Sequence, residues 1–212
     1  MFTVQNLIDR IRFLVAEQDP ANTFFDDADI IKSINYQLDN LYADLELPNN
    51  SITLNLTSGT MEYNLPSTVE NVYTVWFTLD NIRYKVEYNE FDDDFLTRFD
   101  DNYTNNIITN YYIKQRVIAD EYIIVIGFYP IPNVNMTMNL EVLSVSPAIT
   151  LATDKIPLHN RYLVLLAYLV LADMYQRDKS YNEAQFVLSM YNEEVTQEKL
   201  RLKGRAPEYV NI

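Results

Sequence analysis

The sequence predicts an α+β protein: a helical bundle formed by N- and C-terminal helix pairs, with an inserted, mainly antiparallel β lobe. Three observations predict it. Apolar residues recur every three or four positions up to Leu45, alternate from Ile52 to Val145, and return to the longer period from Leu158. Turn-forming residues, such as Pro48-Asn49-Asn50, stand where the period changes. The composition is 48% hydrophobic and 22% charged, with 17 Tyr and 10 Phe, which is that of a chain able to bury a core. The predicted division is a bundle from residues 1–50 and 151–212 and a β-rich insert from 51–150.

Taken in order, Val4, Leu7, Ile8, Ile11, Leu14 and Val15 share one face of a first helix, which Asp19-Pro20 stops. Asp26 or Asp27 caps a second helix, whose apolar face runs through Ile30, Ile31, Ile34, Leu38, Leu41, Tyr42 and Leu45. Neither this pair nor the C-terminal pair completes a core alone, so the two pairs should pack together.

From Ile52 the period is two. Ile52, Leu54 and Leu56 alternate with Thr53, Asn55 and Thr57, and Ser58-Gly59-Thr60 forms a hairpin turn into Met61–Pro66. Strands follow at 69–79 and 82–86, joined by a tight turn at Asp80-Asn81. Asp92, Asp93 and Asp94 precede Phe95, Leu96 and Phe99, a pattern for a short capped helix, and 100–106 reads as an exposed turn. Further strands are expected at 109–117, 122–129 and 136–145, with Pro130 and Pro132 bracketing the end of the second. Gly127, inside a strand, marks a bulge or a close backbone approach.

The helical period resumes at Leu158 with Tyr162, Leu165, Leu166, Leu169, Ala172 and Met174. A polar break at 177–180 leads to a last amphipathic helix through Ala184, Val187, Leu188, Tyr191 and Val195. Its end is basic: Lys199, Arg201, Lys203 and Arg205 place four of the 16 bases within seven positions. Cations there complement a helix dipole. After Pro207, however, Tyr209, Val210 and Ile212 offer apolar anchors that solvent does not reward, so the segment also reads as a docking arm.

The chemistry-bearing residues are sparse. Cysteine is absent, which removes disulfides and thiolate chemistry, and a single histidine, His159, excludes a histidine-rich metal site. His159 stands at a helix start, where capping or packing is expected. Three scattered glycines, Gly59, Gly127 and Gly204, cannot build a phosphate-cradling loop. The acids at 92–94 and 100–101 lack calcium-loop spacing and read as solvated. No cofactor is expected. The net charge of −14 argues against broad nucleic-acid binding, and the longest apolar runs fall short of a membrane span. The opening segment lacks the basic start and unbroken apolar run of a signal peptide. Two other functions stay open on these residues: a binding module for protein or carbohydrate that uses tyrosines of the β lobe, and a carboxylate-dependent hydrolase, for which no spacing selects a pair of acids.

Several segments together resemble the head-to-tail adaptors of short-tailed bacteriophages, the family that includes tail tubular protein A and P22-like head-completion types. They are FDDADIIKSINYQLDNLYADL at 25–45, LNLTSGTMEYNLPS at 54–67, NYYIKQRVIADEYIIVIGFYPIPN at 110–133 and the helical stretch 155–195. The family's glycine turn followed by Tyr-x-Leu-Pro falls on Gly59, Tyr63, Leu65 and Pro66. Its later tyrosine strand and Pro-x-Pro correspond to Tyr112, Pro130 and Pro132, and its Pro-led helix to Pro157 with Leu166, Ala167 and Ala172. One departure is Ile107-Ile108-Thr109, where such proteins often carry a proline. The resemblance implies a non-enzymatic ring of about twelve subunits beneath a portal, with a tail or nozzle below, DNA passing through unread and no membrane. It also implies a portal-gripping C-terminal arm, here Lys199, Arg201, Lys203, Arg205, Tyr209, Val210 and Ile212.

Overall fold

A computed structural model describes residues 2–15, 25–91, 103–118 and 120–203. The described residues of Met1–Leu47 and Ser146–Ala206 form one compact unit and those of Pro48–Val145 a second.

In the helical unit, α1 (Val4–Leu14) starts at a capping box in which the side chains of Thr3 and Asn6 each bond the other's backbone N–H. Two further N–H groups of its first turn, those of Val4 and Gln5, donate to the carbonyls of Asp154 and Ala152. That loop is itself held by the Asp154 carboxylate, which accepts from the N–H groups of Leu151 and Thr150 and is thereby kept below the usual carboxylate range. α2 (Asp27–Asp44) follows N-cap residue Asp26, whose side chain makes no capping bond. Asp27 instead accepts from Arg12 at 2.6 Å, joining the two helices.

The C-terminal pair is α3 (Leu163–Arg177) and α4 (Tyr181–Lys203). α3 is the most enclosed helix, packing against α1, α2 and α4, so the N- and C-terminal pairs share one core. The sequence places its start at Leu158. The structure corrects this: Pro157, Leu158 and His159 precede a single 3-10 turn, Asn160–Tyr162, and the α-helix begins at Leu163. His159 supplies the cap, its Nδ1 accepting the Arg161 N–H at 3.3 Å. Polar clasps cross the unit. The Ser33 hydroxyl donates to Asp173, the Tyr42 hydroxyl to the Pro157 carbonyl, and the Tyr191 hydroxyl to Asp44 at 2.5 Å.

In the β unit seven strands form one sheet in the order β1-β9-β3-β4-β6-β7-β2. They are β1 (Asn50–Leu56), β2 (Glu62–Asn64), β3 (Val69–Leu79), β4 (Ile82–Tyr88), β6 (Asn110–Ile118), β7 (Glu121–Tyr129) and β9 (Met136–Ser144). β5 (Thr104–Asn105) and β8 (Ile131–Pro132) form a small separate pair. The β3–β4 turn at Asp80-Asn81 has both residues at positive φ, 51° and 64°, which is the primed turn that a two-residue hairpin requires.

β4 changes partner along its length. Ile82–Val86 pair with β3, whereas Glu87 and Tyr88 pair in parallel with β6, the one parallel contact in the seven-stranded sheet. The sheet therefore bends at β4, and Leu56, Val75, Phe77, Val86, Tyr111, Ile126, Phe128, Met138 and Leu140 meet in one core.

Two further expectations change. The Gly59 turn is present, with φ 78°, but it closes no hairpin: β1 pairs with β9, and β2 with β7. Pairing follows the longer partners, since β9 matches all seven residues of β1 while β2 has only three. At Gly127 the register with β6 and β2 runs through without a bulge, so the close approach is the reason for the glycine. The helix expected around 92–99 lies outside the described residues.

Candidate functional site

Gly59, Tyr63 and Pro132, singled out by the sequence pattern, meet at one end of the β unit. Gly59 donates its N–H to the Pro132 carbonyl at 2.7 Å, and the Ser58 N–H and hydroxyl bond Asn135 and the Asn133 carbonyl at 2.9 and 2.8 Å. Tyr63 braces the same turn. Its hydroxyl accepts the Thr57 N–H at 2.8 Å and lies 3.1 and 3.0 Å from the Thr57 and Thr60 carbonyls, either of which can take its proton. Leu65 is buried and its N–H continues the β2–β7 ladder to the Ile124 carbonyl, while the Pro66 carbonyl accepts from Val69 to turn the chain into β3. The Tyr129–Pro130 peptide is cis and leads into β8. The Gly-turn and Pro-x-Pro motifs, more than 70 residues apart, thus build one loop cluster.

A second cluster, which sequence reasoning missed, lies on the sheet face away from the core. Glu62, Gly127 and Tyr112 stand side by side on β2, β7 and β6. Because Gly127 has no side chain, the fully buried Tyr112 ring leans across it and donates its hydroxyl to Glu62 Oε1 at 2.7 Å. Lys114 donates to the same oxygen and Arg116 reaches Oε2 at 3.1 Å. Phe91 stacks on Tyr112 at 4.8 Å and takes the Lys114 ammonium 5.2 Å from its ring centre. Burial works against ionising Glu62, but the bonds from Lys114 and Tyr112 and the charges of Lys114 and Arg116 outweigh it, leaving the carboxyl below its usual range. The signal was present as alternating Tyr112, Lys114 and Arg116 opposite a strand acid.

Pro157 belongs to the helical unit, where its carbonyl takes the Tyr42 hydroxyl. Of the expected arm, Lys199 and Arg201 lie on the last turns of α4. Lys199 sits 3.7 Å from Glu46 and Arg201 2.8 Å from Glu198, which also binds Arg161. Lys203 closes the helix, and Arg205, Tyr209, Val210 and Ile212 lie outside the described residues.

None of these arrangements positions a nucleophile against a base. Among the described residues no group of three or more His, Asp or Glu side chains is placed to hold a metal ion, and no helix is long and apolar enough to cross a membrane. Both clusters are devices of shape: they fix a loop end and an edge strand.

A search of curated protein sequences returned no match. The chain does match the family described as SU10 adaptor protein, over residues 2–210. That match carries the head-to-tail adaptor grouping, while the narrower likeness to tail tubular protein A rests on the sequence motifs alone. With nearly its whole length matched and the helix-pair and β-lobe architecture described above, the chain belongs to the SU10 adaptor family of phage head-to-tail adaptors.

Proposed function

We propose that this protein is a non-enzymatic structural subunit of the connector between a phage head and its tail. In this reading copies assemble into a ring of about twelve, with the portal above and a tail or nozzle protein below. The observation that carries it is the family match across residues 2–210. Exposed apolar side chains of the helical unit, among them Phe13, Tyr36, Phe186 and Leu200, support an assembling surface, because isolated chains gain nothing by presenting them to water.

The duplex passes through the ring without being read, and the acidic chain suits that role. A net charge of −14 repels the phosphate backbone, so moving DNA does not adhere to the wall. The basic end of α4 acts as the portal-docking arm, with Lys199, Arg201, Lys203 and Arg205 meeting acidic groups of the portal rim.

Solution mass and electron microscopy of the purified chain, alone and mixed with its portal, test the proposal. A ring, or a stoichiometric complex on the portal, is the expected result. A chain that stays monomeric at high concentration and ignores the portal would overturn it.

A further inference from the structure

Beyond Tyr88 the sheet splits. β3 continues back through Tyr73, Val72 and Asn71, and β6 runs on through Ile113 and Gln115, but no strand of the described residues continues between them in the position held by β4. The result is an open cleft of about 490 Å³ lined by Asn71, Val72, Tyr73, Tyr88, Tyr111, Ile113, Lys114 and Gln115.

The direction of the backbone groups on its β6 wall follows from the neighbouring bonds. Glu87 and Asn89 donate their N–H groups to the carbonyls of Thr109 and Tyr111, so the odd-numbered residues of β6 present their backbone toward β4. The other side of the sheet agrees. Leu65 donates to Ile124 and Phe128 to Met61, which turns the even residues of β7 toward β2 and its odd residues toward the even residues of β6. Ile113 and Gln115 therefore point N–H and C=O into the cleft, as an edge strand does. Beside them Val117 is 57% exposed and its cross-strand neighbour Tyr122 is 76% exposed, on the face that elsewhere is core. Among the described residues the one charged side chain of the lining, Lys114, is already paired with Glu62 on the opposite face of the sheet.

We propose that this cleft receives residues 208–212 of a second copy as an added strand on β6. The inference rests on the ring reading and changes the expected destination of those residues from the portal to a neighbouring subunit. Glu-Tyr-Val-Asn-Ile is a strand-forming segment, and Gly204–Pro207 give it a tether from the end of α4. Backbone bonds to Ile113 and Gln115 hold it, and Tyr209, Val210 and Ile212 supply apolar cover for Val117 and Tyr122.

The chain has no native cysteine, so disulfide trapping is clean. Full-length chains carrying Gln115→Cys, an exposed position, are mixed under mild oxidation with chains of different tag length carrying Tyr209→Cys, Val210→Cys or Asn211→Cys. At least one mixture should give a disulfide between unlike chains. In the unsubstituted assembly, amide exchange at Ile113 and Gln115 should be slowed at least ~100-fold relative to a chain ending at Lys203. Three results overturn the proposal: a disulfide within one chain only, amides protected without the tail, or a tail trapped on the portal while the cleft amides exchange freely. Solution mass on the same samples separates the two readings, since rings that form with an empty cleft defeat the strand insertion alone, whereas chains that never assemble defeat both.

Discussion

The ring of Tyr112 occupies the space that a side chain at Gly127 would need: a Cβ built there would lie 2.1 Å from the ring's Cζ. The backbone of Gly127 is not in the left-handed region, so the constraint is purely one of room. Through this contact β6 reaches over β7 to hold Glu62 on the edge strand β2.

Gly127→Ala should therefore act well beyond one methyl group. The ring must move off β7, which combines an overpacking cost of about 1–3 kcal/mol with loss of the hydrogen bond to Glu62. Tyr112→Phe keeps the ring over Gly127 and loses the bond to Glu62, about 1 kcal/mol, because Lys114 and Arg116 still hold the carboxylate. Urea unfolding followed by the fluorescence of Trp76, the single tryptophan and a β3 residue, reports the β unit. Equal stability of Gly127→Ala and the parent would refute the steric account.

Glu62 also gives the β unit an acid sensitivity. Its folded-state pKa lies below the ordinary value of 4.5, so the folded chain binds fewer protons than the unfolded chain near that pH. The stabilisation is complete above about pH 4.5 and is lost as pH falls through the depressed folded value. Glu62→Gln should be less stable than the parent at neutral pH and should lack this part of the acid decline. Trp76-detected unfolding at a series of pH values from neutral downward measures the difference, and parallel profiles for the two proteins would count against it.

At high pH the order reverses. Burial, then the hydrogen bond to Asp44 and its charge, pushes the Tyr191 hydroxyl well up; burial, then Asp39, raises Tyr42; burial, then Tyr88, brings Tyr111 to about 12. Folded-state values raised above the unfolded ones mean stability that is intact below about pH 10 and declines above it. Tyr191, Tyr42 and Tyr111 should therefore resist ionisation while the fold holds, visible as a late step in tyrosinate absorbance. Tyr191→Phe should reduce the amplitude of that step and cost the helical unit about 1–2 kcal/mol at neutral pH. A smooth titration of all tyrosines while helical content persists would contradict this.

Much of the architecture was legible because it is local. The change of period separates helix from strand, and Asp80-Asn81 specifies its own turn. What was not legible depends on residues far apart in the chain. Nothing near Gly59 says that β1 will pair with residues 80 to 92 positions away, and nothing near Glu62 names Tyr112. Ser33 and Gln37 interrupt the apolar face of α2 yet are buried, Ser33 because Asp173 takes its hydroxyl proton. The Gly59, Tyr63 and Pro132 motifs were recognisable one by one, but their meeting in a single loop cluster is a product of the fold.

The basic end of α4 allows a prediction that separates the two bases seen in the structure from the two that follow. Lys199 lies 3.7 Å from a Glu46 that is largely exposed, an ion pair of the kind that contributes little, so its charge stays available to a partner. Arg201 is tied at 2.8 Å to Glu198, whose other oxygen already serves Arg161, and this carboxylate is mostly shielded. Recruiting Arg201 to a partner would leave Arg161 and Glu198 paired, whereas losing Glu198 would strand two guanidinium groups. Replacing Lys199, Arg201, Lys203 and Arg205 together by Gln should therefore leave helical content nearly unchanged while making attachment to the portal weaker and less dependent on salt. Lys199→Gln alone should show part of that effect and Arg201→Gln less, because Glu198 already neutralises it. Binding of purified portal to each variant across a salt series measures this, with circular dichroism as the control for folding. An attachment whose salt dependence survives the fourfold replacement would mean that other charges make the contact, and that the basic helix end serves only to complement the dipole of α4.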